Sequence, residues 1–264
     1  MRPSPWKGFA WEAFAWRVAS LAVVAAAILA WREIAALKLV SPVFLPAPDR
    51  AFTALWHGLA ASDLAEKLAG TVEHMLAGWL LASTVGIVLG ALIGSSGRVR
   101  AYVAPTLEFL RPLPASAVIP VAIAIFGYSS AMALGVIGFG AVWPMLLATM
   151  HGFGAVEPRL KEVARALGLT DFETAIKISL PAAMPDILAG LRLGLTVALI
   201  LAVVCEMIAG LDGLGQWVLL AARAYRSADL FAGVILLGGV GVVANAILSL
   251  VESRALRWRA SHGR

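Results

Sequence analysis

The chain has 264 residues, 61% of them hydrophobic and 14% charged, with a formal net charge of +5 and a mean hydropathy of +0.87. A soluble domain is about 45–50% apolar, and a chain this short leaves too much surface uncovered to hide such a surplus in one core. The composition excludes an ordinary water-soluble enzyme and points to lipid as solvent, so the net charge reads as Lys and Arg held on one side of a membrane, not as a nucleic-acid footprint.

The basic start (Arg2, Lys7, Arg17) and the apolar run Val18–Trp31 have the form of a signal peptide or of a retained first span. The many apolar segments that follow favour the span. With ~20 mostly apolar residues per crossing, six spans are predicted: Trp16–Leu37, Val72–Ile93, Ala104–Phe126, Ala131–Met150, Pro185–Ile208 and Leu230–Val251. The fold class expected is an all-α polytopic membrane protein. Its parts are residues 1–70 (first span and an external loop holding a short interfacial helix), a core of residues 71–258, and a tail of residues 259–264.

In the second span Gly78, Ala82, Gly86, Gly90 and Gly94 recur every fourth residue, and in the fifth so do Gly190, Gly194, Ala198 and Ala202. Such stripes let helix backbones approach closely in lipid. The third span carries Pro105, Pro112, Pro114 and Pro120. A broken helix at membrane depth is tolerated only inside protein or beside a water-filled cavity, which leaves a substrate path or a kinked packing helix. Residues 211–229 form a further external segment, where Gly213, Gly215 and Trp217 predict a tight turn near the interface. With the N-terminus placed inside, Lys and Arg concentrate in the inner segments (Arg98, Arg100, Arg159, Lys161, Arg165, Lys177, Arg254, Arg257). That bias predicts two cytoplasmic termini.

The longest inner loop, residues 151–184, is patterned. Pro158 suits a first helical turn. Leu160, Val163, Ala164 and Leu167 recur at helical spacing, and Gly168 stands where a C-terminal glycine belongs. Thr170 and Glu173 form a capping box that opens a second helix with Phe172, Ile176 and Leu180 on its apolar face, expected to stop at Pro181. Such a helix–turn–helix can lie on lipid headgroups, pack under its own bundle, or be gripped by another protein.

The run Glu162-Val163-Ala164-Arg165-Ala166-Leu167-Gly168, nine intervening residues, then Ile178-Ser179-Leu180-Pro181 resembles the "EAA" loop of the permease subunits of binding-protein-dependent ABC importers. Glu162, Ala164, Gly168, Ile178, Leu180 and Pro181 fall in register; Val163 departs from the family's usual alanine. Phe109-Leu110-Arg111-Pro112-Leu113-Pro114, Gly190-Leu191-Arg192 and Gly213-Leu214-Gly215 are similar to the nitrate, taurine and sulfonate group of that family. The resemblance implies a bacterial inner-membrane permease importing a small anionic or organic solute by alternating access. It implies as partners a cytoplasmic ABC ATPase dimer, an external solute-binding protein and a second permease copy. It makes the loop a coupling helix: Glu162 at the ATPase surface, Gly168 at the turn, Pro181 at the end of the second helix.

A Walker A loop needs glycine before its lysine, but Lys7, Lys38, Lys67, Lys161 and Lys177 follow Trp, Leu, Glu, Leu and Ile. ATP and Mg therefore belong on a partner, and no cofactor is expected on this chain. Cys205 is the single cysteine, and the four histidines are scattered, with no metal-ligand spacing. Glu108, Arg111, Arg192 and Glu206 lie in or at the edge of spans, where ionisable groups are costly and are functional candidates. Glu108 and Arg111 are spaced to pair, and Arg192 to snorkel. Arg111, Pro114, Arg192 and Glu206 are the candidates for a translocation path or gate; no catalytic residue is proposed. Three rivals are weaker. An ion-coupled secondary transporter needs acidic groups near the bilayer midplane, a membrane-anchored DNA-binding protein needs a folded recognition domain, and a membrane enzyme needs a nucleophile or acid–base cluster.

Overall fold

The computed structural model describes residues 6–61 and 63–257, without the side chains of residues 6–15, 17, 21 and 61. The basic start at Arg2 and the tail 259–264 lie outside the described residues. Every regular element among the described residues is helical: α1 (Trp6–Ala36), α2 (Pro48–Ala61), α3 (Leu64–Ser95), α4 (Gly97–Leu110), a 3-10 turn (Ala115–Val118), α5 (Ile119–Phe126), α6 (Ser130–Gly154), α7 (Pro158–Ala166), α8 (Asp171–Thr174), a π segment (Ala175–Ser179), α9 (Leu180–Ala209), α10 (Leu214–Arg223) and α11 (Ser227–Ala255). Among the described residues five are long and apolar enough to cross a membrane, and a sixth is reached when the bent pair α4–α5 is counted as one broken span. Five of the six expected spans are thus continuous helices, and the third is the bent pair. The interfacial helix expected in the first loop is α2.

The core is a three-helix stack with α6 in the middle. Its two flat faces exist because its neighbours present small residues. On one side α3 lays Gly78, Gly86, Gly90 and Gly94 against α6. A Cβ on Gly90 would lie 2.6 Å from the Leu146 carbonyl oxygen, so the two backbones touch. On the other side Gly190 and Gly194 of α9 do the same, and a Cβ on Gly190 would lie 2.8 Å from that of Ala148. Backbone contact brings many weakly attracting atom pairs into range at once, which is how helices associate where lipid removes the hydrophobic drive. Met132, Ile137 and Met145 of α6 are fully buried in this stack. Outward, the helices show lipid-facing side chains such as Leu80, Leu92, Val242 and Ile247. The apolar stretch of α1 is uncovered by the rest of the chain, tied down by Trp31, whose indole donates to the Pro46 carbonyl at 2.9 Å and stacks on Phe231 of α11 at 5.3 Å.

The third span is broken, and its two arms are bent by 77°. The break falls at Pro112–Pro114. Pro105 is accommodated inside α4, and Pro120 sits in the first turn of α5, where its missing N–H costs nothing. The helix begins at Gly97, ahead of the expected Ala104, because Ser96 caps it. Ala115 and the fully buried Ile119 anchor the elbow on the stack.

Two local expectations are corrected. Pro181 does not stop a helix: α8, the π segment and α9 form one helical run, Asp171–Ala209, with Pro181 in the first turn of α9. A wide π turn just ahead of the proline accommodates the missing donor, so the chain continues where an α-helix would have been interrupted. The Gly213–Trp217 segment is not a tight turn. Gly210, at φ 68°, ends α9 in the left-handed region, and the chain then enters the ten-residue helix α10.

Candidate functional site

The loop between α6 and α9 is folded throughout. Pro158 opens α7, and the helix closes in a Schellman motif: Leu169 N–H donates to the Ala164 carbonyl at 3.0 Å and Gly168 N–H to that of Arg165 at 3.1 Å. Gly168 takes φ 68°, the left-handed value that favours glycine. The next helix starts with the expected capping box. Thr170 Oγ1 accepts from Glu173 N–H at 3.2 Å, and the Glu173 carboxylate accepts from Thr170 N–H at 3.0 Å. Such a cap is worth about 1 kcal/mol.

Of the predicted apolar stripe, only Ala164 packs inward, at 1% exposure. Leu160, Val163, Leu167, Phe172 and Ile176 are all exposed, as is Glu162. The bundle therefore does not cover this face, which removes the option that the loop packs under its own chain. Ile178 lies in the π segment, and Leu180 packs with Phe153, Ala183 and Ile187 at the root of α9. An open cleft of about 830 Å³, lined by Arg98, Lys161, Arg165 and Asp171, separates the loop from the α3–α4 corner. The helical run is 39 residues, roughly 58 Å at 1.5 Å per residue against a hydrocarbon core of about 30 Å. The run is thus longer than a bilayer crossing requires, and the second helix of the loop is its direct continuation.

The four path candidates are not gathered into one cavity. Arg111 and Pro114 sit at the elbow, both exposed. The 14 residues of α4 give it a length of roughly 21 Å from Gly97 to the elbow. Among the described residues neither Glu108 nor Arg111 has an ion-pair partner, so their expected pairing is absent. Arg192, midway along α9, pairs with Glu252 in the last turn of α11, both partly exposed. Such a pair contributes about 0–1 kcal/mol.

Glu206 lies at the opposite end and is completely buried. Its Oε2 accepts from Thr71 Oγ1–H at 2.9 Å and from Gly215 N–H at 2.8 Å, while Oε1 lies 3.2 Å from His74 Nδ1. Thr71 Oγ1 in turn accepts from Leu214 N–H at 2.8 Å. A buried carboxylate is tolerated when its lone pairs are filled this way, and each buried group left unmet would cost about 1–3 kcal/mol. The glycines around it are steric requirements, because a Cβ on Gly213 or Gly215 would run into the Glu206 side chain. Lys67 pairs with Asp212 on the outer side of the cluster. The sequence singles out Glu206, Gly213 and Gly215 but not Thr71, which lies 135 residues from its partner, nor the pairing of His74. No local pattern carries a contact of that separation. Among the described residues no group of three His, Cys, Asp or Glu side chains is placed to hold a metal ion.

The profile of the family described as the binding-protein-dependent transport system inner membrane component matches residues 83–257. The chain belongs to this family. It is 32% identical over 232 residues to the putative aliphatic sulfonates transport permease protein SsuC of Bacillus subtilis (strain 168), covering 88% of this chain and 84% of that protein. It is 30% identical to the nitrate import permease protein NrtB of Leptolyngbya laminosa (72% of this chain, 68% of that protein). It is 28% identical to the taurine transport system permease protein TauC of Escherichia coli (strain K12) (86% and 85%). The chain is thus a membrane-spanning permease subunit of an ABC importer, and the ion-coupled secondary transporter is set aside.

Proposed function

We propose that this permease carries a small anion of the sulfonate, taurine or nitrate kind, and that residues 151–184 are where a separate ATPase drives it. The observation that carries the coupling role is the loop itself. A capped helix pair presents an apolar face that its own bundle leaves bare, on a helical run continuous with the central span α9. An exposed apolar patch beside charged residues fits a protein partner, and a rigid shaft transmits a displacement that a flexible loop would absorb. In this reading the loop and both termini are cytoplasmic, Glu162 and Val163 contact the ATPase, and ATP and Mg are bound by that partner alone. An external solute-binding protein delivers the solute to the opposite face.

A second copy of the chain completes the path. Among the described residues Glu108 and Arg111 are exposed and without an ion-pair partner in the bent span, where a guanidinium facing lipid at the bilayer centre would cost at least about 2.5–3.5 kcal/mol. The elbow therefore faces protein or water, and a homodimer with the two elbows lining a central pathway supplies both. A cationic Arg111 there suits an anionic solute.

The test is gentle extraction of the tagged chain from its native membrane, as wild type and Glu162→Lys, with identification of what co-purifies. A P-loop ATPase held by the wild type and lost from the variant supports the coupling role, and a co-purifying binding protein identifies the solute by its own ligand. Absence of any ATPase would overturn the proposal.

A further inference from the structure

Helix α10 has no N-terminal cap of its own. Its N-cap residue is Gly213, which has no side chain to offer. The first two helical N–H groups are met by other helices: Leu214 by Thr71 of α3 and Gly215 by Glu206 of α9. A carboxylate here also opposes the positive end of the helix dipole. Thr71 donates to the same Glu206 oxygen, and His74 Nδ1 lies within hydrogen-bond distance of its other oxygen, so two positions of α3 hold it as well. Lys67 of α3 ties the approach to α10 through Asp212. Packing repeats the message, since a Cβ on Gly70 of α3 would lie 2.7 Å from the Asp212 carbonyl oxygen. Three helices thus meet on one fully buried carboxylate.

We infer that Glu206 is a positioning residue that locks α10 to the far ends of α3 and α9, so that the three move as one body. It does not line the path, because no face of it is open. The helical run Asp171–Ala209 joins the loop to this lock. A displacement entering at the loop reaches α10 without a joint between, and the bundle opens elsewhere, at surfaces not tied by the lock. This consequence rests on the coupling role proposed above for residues 151–184; the lock itself does not.

The experiment places spin labels on Glu66→Cys of α3 and Arg223→Cys of α10, both exposed, while Cys205 is buried. Pulsed-EPR distances are recorded on the full transporter in lipid, without nucleotide and with ATP and Mg held in a non-hydrolysing state. With labelled chain diluted by unlabelled chain so that each transporter holds one labelled pair, the expected result is one narrow distance, the same in both states. Glu206→Ala should broaden it and lower solute carried per ATP hydrolysed by about tenfold, the scale of one buried group left unmet. Thr71→Val, a milder loss, should do the same in part, and Thr71→Ser should restore both readouts. A wild-type distance that shifts with nucleotide overturns the single-body inference. A narrow distance that survives both Glu206→Ala and Thr71→Val shows that Glu206 does not lock α10. If no ATPase accompanies the chain, the coupling proposal has failed, yet the width of the distance in the permease alone still decides the lock.

Discussion

Adding one methyl group at Gly90 tests whether backbone contact holds the core together. In Gly90→Ala the new carbon would lie 2.6 Å from the Leu146 carbonyl oxygen, 2.7 Å from Thr149 Cβ and 3.1 Å from Met150 N. Comfortable separations are about 3.5–4.0 Å. Two of the three obstacles are backbone atoms of α6 and cannot swing aside, so α3 and α6 must part locally by roughly 0.9 Å, the shortfall at the carbonyl. A gap of that size forfeits a quarter to a half of the dispersion energy of each contact it opens, and overpacking of this kind costs about 1–3 kcal/mol. The upper half of that range is expected, about 2–3 kcal/mol, or a fall of roughly 4–12 °C in Tm for a chain of this size. Gly239→Ala in α11 is the control, since nothing lies within 4 Å of its Cβ position, and it should stay within about 0.5 kcal/mol of wild type. Equilibrium unfolding in mixed micelles, followed by tryptophan fluorescence, measures both. A Gly90→Ala protein as stable as wild type, or a Gly239→Ala protein equally destabilised, would refute the backbone-contact account of the core.

The loop offers two further tests. Gly168→Ala meets no neighbouring atom, so its cost is the left-handed backbone alone, about 1–2 kcal/mol. Transport should fall while the Tm of the bundle holds, and Gly168→Asn should recover most of the loss. Thr170→Ala removes the cap of α8 at about 1 kcal/mol; amide exchange in residues 171–177 should accelerate without a change elsewhere, and Thr170→Ser should reverse it. Midway along α9, Arg192→Glu or Glu252→Arg alone should lower thermal stability slightly, by about 1 kcal/mol or less, and the double reversal should restore it. A double variant no better than the singles would mean that Arg192 acts through something other than Glu252.

The spans, the small-residue faces and the loop were legible in the sequence because each depends on neighbours within a few residues. Hydropathy over a helix length, glycine at every fourth position, and Thr170 three residues before Glu173 are local patterns with local causes. Local rules also misled. Pro181 reads as a stop because a proline ordinarily ends an α-helix, and the π segment that carries the helix past it leaves no mark in composition. Gly213 and Gly215 read as a turn, whereas a Cβ on Gly213 would run into the Glu206 side chain and one on Gly215 into the Val203 carbonyl oxygen and Glu206. Only the tertiary structure decided what faces what: that α6 is the middle of the stack, that the loop's apolar face is bare, that Arg192 meets Glu252 while Arg111 has no ion-pair partner among the described residues, and that Thr71, His74 and Glu206 close around α10. The physical reason is range. The chain's own sequence determines how each segment solvates itself and which helices it can form, but a hydrogen bond between residues 71 and 206 exists only once helix packing has brought their ends together.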